Sequence, residues 1–341
     1  MKKYISIIIF LFALQFVAYS QNVSKKSYLY SIKDSDTLYL DKYTYAKPKK
    51  DSVILSKPAV IFMFGGGFYT GQRDNQSYIP FFEYLAANGY EVFSIDYRLG
   101  LKKFQNDDKF MNHISGKKSK KLKGVEFVKV FDKTVKMAVE DLFTATAYII
   151  KHSKEWNIDT SNIVASGSSA GAISVLQAEF YLSNNYIELT KILPKNFNYA
   201  GIISFAGAIL NYHSKLKWNN SPCPLALFHG DIDKVVPYNR IWTPIGSFNG
   251  SKRIVQSLIK EKSPYLFSTY HNCDHKIAVL PMTNALNDIS LFLNEMVLKR
   301  KKLTISIITD DITQSDSLKN TSSNNNINKS HYRKKLSNYK K

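Results

Sequence analysis

Ser169 stands at the centre of Gly167-Ser168-Ser169-Ala170-Gly171, a G-x-S-x-G pentapeptide. Its glycines allow a sharp strand-to-helix turn that leaves the middle hydroxyl exposed. A serine hydroxyl is too weak an acid to attack an ester unaided, so a histidine must take its proton and a carboxylate must orient that histidine. Downstream, LFHGDIDKVVPY places Asp231 and Asp233 after one apolar run, and YHNCDHKIAV places His275 after the next. The assignment is Ser169 as nucleophile, Asp233 as acid and His275 as base. Asp231 is the rival acid and His271 the rival base. His229, at the end of an apolar run, is expected to be a satisfied structural histidine, and Asp274 a solvated loop residue.

Such groups meet only if the chain delivers them to one edge. Short runs rich in β-branched and aromatic residues recur at 58–66, 91–98, 162–168, 200–209, 224–230 and 264–271, several of them apolar on both faces. That is the demand of a parallel sheet covered by helices. Helical period fills the intervals at 78–89, 132–153 and 170–182, while 27–45 reads as an antiparallel hairpin at the sheet edge. NIVASGS is thus a strand and AGAISVLQAEF a helix, with Ser169 on the connection. There the Ala170 N–H points to where a carbonyl oxygen becomes negative during attack.

FMFGGGFYTG follows another strand with Gly65, Gly66 and Gly67 in succession. Three glycines lose the most entropy on folding, and their use is close backbone approach. The run resembles the HGGG loop of lipases and esterases, which implies Gly66 and Gly67 as further oxyanion donors; Phe64 stands where that loop carries histidine.

The ordered set GGGF, DYR, GSSAG, HGDIDKVVP and CDH resembles α/β-hydrolase carboxylesterases, in particular hormone-sensitive-lipase-like and bacterial carbohydrate-esterase members, over about residues 55–295. The resemblance implies an α/β-hydrolase fold: a mostly parallel twisted sheet with helices on both faces and an antiparallel N-terminal edge hairpin. It also implies hydrolysis of carboxylic esters, extending to acyl groups on carbohydrates, without metal or organic cofactor. Arg98 and Asp141 match positions that pair structurally beneath the site. A serine peptidase and a catalytically silent binding protein are the alternatives.

The bulk properties set the surroundings. MKKYISIIIFLFALQFVAYSQ has the basic, apolar and small-residue layout of a secretory leader over residues 1–20, with an uncleaved anchor as the alternative. The expected protein is therefore secreted or periplasmic, without stable membrane insertion after cleavage, and its catalytic domain spans 21–300. The formal charge of +20 is uneven: 99–131 and 301–341 each hold nine basic against three acidic residues, and Lys2 and Lys3 lie in the leader. The remainder is ordinarily charged, so a nucleic-acid binder is not indicated. The Lys-rich stretch 99–131 interrupts the strand–helix rhythm at the ligand-binding edge and reads as a lid or a surface insertion. Residues 301–341 read as a disordered basic tail. Cys223 and Cys273 fall at opposite ends of neighbouring parallel strands, roughly 25 Å apart. A bridge needs Cα atoms within about 7 Å, so two free thiols are expected.

Overall fold

The computed structural model describes residues 22–46, 56–104, 106–108, 124–212 and 215–310. The leader, the middle of the Lys-rich insertion (105 and 109–123) and most of the basic tail (311–341) lie outside the described residues, as do 47–55 and 213–214.

Nine strands form one sheet in the order β1-β2-β4-β3-β5-β6-β8-β11-β12: β1 (Val23–Lys33), β2 (Asp36–Tyr45), β3 (Lys57–Met63), β4 (Glu91–Ile95), β5 (Ile158–Ser168), β6 (Gly201–Phe205), β8 (Leu225–Gly230), β11 (Tyr265–Tyr270) and β12 (Thr304–Thr309). β1 and β2 are the edge hairpin, turned at Asp34 and Ser35, both with positive φ. Those signs match the tight two-residue connections that follow the twist of a hairpin. From β4 to β12 every pairing is parallel.

Every residue of β4, β6 and β8 is buried, so both faces of the central sheet are covered. Three helices supply much of this cover: α1 (Ile79–Ala87) lies against β2 and β4, α2 (Gly124–Lys151) against β1, and α3 (Ala170–Ser183) against β5 and β6. A fourth, α4 (Ser251–Lys260), packs on β8 and β11. The core is largely aromatic, with Phe62, Phe81, Phe205 and Phe228 fully buried. Phe81 meets Phe205 edge-on at 5.7 Å, and Phe205 stacks on Phe228 at 5.2 Å.

Three expectations change. The run 200–209 is two strands, because Ala206 takes a left-handed φ of 57° and turns the chain out of the large sheet. Its second half, β7 (Ala208–Asn211), joins β9 (Arg240–Thr243) and β10 (Gly246–Gly250) in a small antiparallel sheet, order β7-β10-β9. The helix expected from 132 starts at Gly124, so the end of the Lys-rich insertion is the first two turns of α2. The stretch expected as tail from 301 instead opens with β12, which pairs with β11 along its whole length. Its alternating exposure, every second residue half-buried, is that of an edge strand with one face on the protein.

Both cysteines are buried free thiols. β8 and β11 run parallel with Leu225 opposite Tyr265 and Gly230 opposite Tyr270. Cys223 therefore lies before one end of the pair and Cys273 beyond the other.

Candidate active site

Ser169 occupies the single residue between β5 and α3 with φ 49° and ψ −112°, a conformation that L-residues rarely adopt. Neighbouring glycines make the turn feasible. A Cβ on Gly167 would lie 2.4 Å from the carbonyl carbon of Gly171, and one on Gly171 would lie 2.1 Å from the Met63 oxygen. The Ser169 N–H donates to the Phe205 carbonyl at 2.9 Å, which pins the turn to β6. Strain of this kind costs about 1–3 kcal/mol and survives only where the surroundings over-determine it.

His275 begins a 3₁₀ turn, His275–Ala278, after β11. Asp274, expected as a solvated loop residue, caps this turn by accepting the Lys276 N–H at 3.1 Å. A second tie holds the turn from inside: the buried Ser168 hydroxyl donates to the Ala278 carbonyl at 2.8 Å. The residue beside Ser169 thereby fastens the histidine's turn to the serine's turn.

These constraints bring His275 Nε2 to 2.8 Å from Ser169 Oγ, and His275 Nδ1 to 2.7 Å from Asp233 Oδ2. The carboxylate fixes the tautomer, because an acceptor on Nδ1 requires the proton there and leaves Nε2 free to take one from the serine. Asp233 Oδ1 accepts the N–H groups of Val235 and Val236 at 2.8 and 3.0 Å. Burial pushes the Asp233 carboxyl up, but hydrogen bonds from His229 and His275 outweigh it and hold the group well below the usual carboxylate range.

The rival pair lies elsewhere. His271 Nδ1 meets Asp231 Oδ2 at 2.7 Å, and Asp231 Oδ1 accepts the Asn272 N–H at 2.8 Å. They satisfy one another on an exposed loop.

The glycine loop crosses beside the serine, since a Cβ on Gly65 would come within 3.3 Å of Ser169 Cβ. Gly66 and Gly67 both have φ in the left-handed half of the map, at 129° and 62°. Among the described residues no backbone acceptor meets the N–H of Gly66, Gly67 or Ala170. The bracing that histidine gives such a loop is here done by tyrosines. Phe64 stacks on Tyr97 at 4.5 Å, the Tyr97 hydroxyl donates to the Phe64 carbonyl at 2.8 Å, and the Tyr78 hydroxyl accepts the Gly65 N–H at 3.1 Å. Burial pushes the Tyr97 hydroxyl far up, so it stays protonated and able to donate.

A cavity of about 480 Å³ opens at Ser169. Phe68 of the glycine loop, Phe127 and Phe131 of α2, Ile173 of α3 and Phe248 of β10 line it, together with the exposed Trp242 of β9. Phe131 joins three of these walls, lying 5.6 Å from both Phe68 and Phe248. None of the described lining residues is ionisable. Leu101, Gly124, Phe127, Val128 and Phe131 come from the 99–131 insertion, so its two described ends form part of the wall; residues 109–123 lie outside the described residues. A larger cavity of about 740 Å³ lies one helical turn along α3, at Gln177 and Tyr181, and does not reach Ser169.

Arg98 and Asp141 pair as the resemblance implies. Asp141 is fully buried and takes Arg98 Nε at 3.0 Å and Nη2 at 2.8 Å, with the Arg98 backbone N–H at 2.9 Å. This joins the end of the β4 connection to α2.

No protein-family model and no curated protein matches the chain. Solved structures do. The apo form of esterase 2 from Thermogutta terrifontis, a Planctomycetes species, superposes with a TM-score of 0.54 at 18% identity, covering 80% of this chain and 94% of that one. The same enzyme phosphonylated by cyclosarin gives 0.54 at 18% identity over 81% and 96%, and its butyrate-bound form 0.53 at 18% over 80% and 95%. The chain has the α/β-hydrolase fold. In α/β-hydrolase terms, Ser169, Asp233 and His275 follow β5, β8 and β11, and all three lie at the carboxyl edge of the parallel strands. The small β7-β10-β9 sheet stands over that edge as an addition to the doubly covered α/β-hydrolase sheet.

Proposed function

We propose that this protein is a serine esterase in which Ser169 attacks the carbonyl of a carboxylic ester. The observation that carries this reading is the continuous relay Ser169–His275–Asp233, with both links inside hydrogen-bond distance and the serine on a strained turn. His275 Nε2 takes the hydroxyl proton as Ser169 Oγ bonds to the carbonyl carbon. Asp233 stabilises the imidazolium, and the N–H groups of Gly66, Gly67 and Ala170 receive the negative oxygen. The imidazolium proton then goes to the leaving alcohol, and water repeats the sequence on the acyl-enzyme to release the acid and restore Ser169.

The cavity at Ser169 supports an apolar acyl group as the part of the substrate held there, since aromatic and aliphatic side chains make up most of its described walls, with Thr243 the one polar lining side chain among the described residues besides Ser169 itself. The T. terrifontis enzyme, an esterase seen with butyrate bound, is consistent with this choice. The leader-like segment 1–20 supports export to the periplasm or medium. Carbohydrate hydroxyls are the proposed alcohol partners, with the Lys-rich insertion steering acidic glycans by charge.

The direct test is a fluorophosphonate label together with p-nitrophenyl ester turnover. Wild type should be labelled at Ser169 and turn over, and Ser169→Ala should do neither; a silent relative fails the label, and turnover retained by Ser169→Ala refutes the assignment. A screen of acylated sugars at low and high salt tests the alcohol side, because kcat/KM independent of salt removes the steering argument.

A further inference from the structure

His229 lies at the end of β8, wholly buried, and the sequence gives it nothing to distinguish it from a packed core histidine. Its surroundings do. Nε2 is 3.3 Å from Asp233 Oδ2 and 3.2 Å from the Val236 carbonyl oxygen, both of which are acceptors. Two acceptors on one ring nitrogen require that nitrogen to carry the proton. Nδ1 lies 2.8 Å from Ser251 Oγ at the first turn of α4, whose hydroxyl can donate to it. The Tyr238 ring packs edge-on at 5.7 Å and closes the remaining side.

The Asp233 carboxylate consequently receives four donors. Two backbone N–H groups hold Oδ1, and two imidazoles, His229 and His275, share Oδ2. An oxygen that accepts a second N–H is a weaker acceptor toward the first, and its charge is less available to the imidazolium that forms on His275. His229 also clasps Val236, the residue whose N–H holds Oδ1, so the same ring fixes the rotation of the carboxylate and the loop that carries it.

We propose that His229 is a positioning residue for the acid of the site, donating through Nε2 to Asp233 so that the carboxylate faces His275 at a fixed angle with a moderated charge. The proposal rests on the serine-esterase reading for its kinetic consequence, but its geometry does not. The groups that face His229 are Asp233 on its own loop, Ser251 from α4, Tyr238, and His275 across the shared oxygen; no other charged group is within hydrogen-bond reach among the described residues.

Nitrogen-15 correlation spectra of the histidine rings in the Ser169→Ala protein, which needs no turnover, test the geometry. His229 should be protonated at Nε2, and an unprotonated Nε2 overturns the proposal. In the active enzyme, His229→Leu should lower kcat about tenfold with KM little changed. It should also move the acidic limb of kcat/KM upward by about half a pH unit to one unit, because Asp233 then gives its whole charge to His275. His229→Gln, which keeps an amide donor near Nε2, should return the limb to its wild-type position. Loss of kcat with an unmoved limb in both variants would reduce His229 to packing and overturn the inference. If no protein is active but the ring spectra show the Nε2 proton and an elevated His275 titration in the Leu variant, the esterase reading falls and the positioning stands.

Discussion

The backbone of Ser169 makes a prediction whose sign is opposite to the usual one. In most ordered positions glycine is less stable than alanine by about 0.5–1 kcal/mol, because it loses more freedom on folding. At φ 49° and ψ −112° a Cβ is itself the source of strain, worth about 1–3 kcal/mol. Ser169→Ala and Ser169→Gly both remove the hydroxyl and its 2.8 Å contact with His275, so these losses cancel between the two variants. Subtracting the ordinary glycine penalty from the strain released leaves Ser169→Gly more stable than Ser169→Ala by about 1 kcal/mol. That corresponds to a melting temperature higher by roughly 3 °C for a domain of this size. Both should be inactive toward p-nitrophenyl acetate. Thermal and urea denaturation of the two variants side by side decide the matter: a glycine variant that is the less stable by about 0.5–1 kcal/mol means that the turn is not strained, and the account of how this serine is presented fails.

Three further outcomes follow from other residues. Glu179 is a buried residue of α3, where desolvation raises its carboxyl from 4.5 to about 7 despite donors from Cys223 and Ser183. The folded state therefore holds a proton that the unfolded state has released, so this contribution to stability is complete below pH 4.5 and is lost as pH rises through 7. Its size is about 3 kcal/mol, and the difference in ΔG of unfolding between Glu179→Gln and wild type, followed by urea melts from pH 4 to 9, should grow by about that amount; a flat difference contradicts it. Asp141→Asn leaves the Arg98 guanidinium short of its buried partner and should cost about 3 kcal/mol or more in urea melts, with a loss under 1 kcal/mol arguing that Glu140 and Asp34 suffice. Phe248→Ala widens the cavity at the face where Phe248 meets Phe131, and should raise the preference for octanoyl over acetyl p-nitrophenyl esters roughly tenfold; an unchanged ratio places the acyl group elsewhere.

The convergence of Ser169, Asp233 and His275 was legible because each follows an apolar strand of the parallel part of the large sheet. Strand direction alone then delivers all three residues to one edge. The ties that tune them were not legible. Ser168 and His229 are polar residues at the ends of buried strands, and no periodicity separates a hydroxyl or ring that makes a long-range hydrogen bond from one that merely fills space. The small sheet was hidden for a different reason. β7 and β9 are four residues each, too short for alternation to register, and β7 continues an apolar run broken only by the unusual φ of Ala206. β12 did carry a signal, the β-branched run Thr304-Ile-Ser-Ile-Ile-Thr309, but the lysines before it and the polar stretch after it outweighed six residues in a reading by composition.

The turn at Ala206 has a consequence for how this protein can change. Because the chain leaves the main sheet there to form β7, and among the described residues β10 pairs with β7 and β9 alone, the hairpin of β9 and β10 that lines the cavity at Ser169 is grafted onto the main sheet rather than woven into it. Insertions, deletions or whole-hairpin exchanges between residues 240 and 249 can remodel the cavity at Ser169 while the relay beneath keeps its spacing, which makes this hairpin the natural site for selection, in the laboratory or in lineages, to vary what that cavity admits.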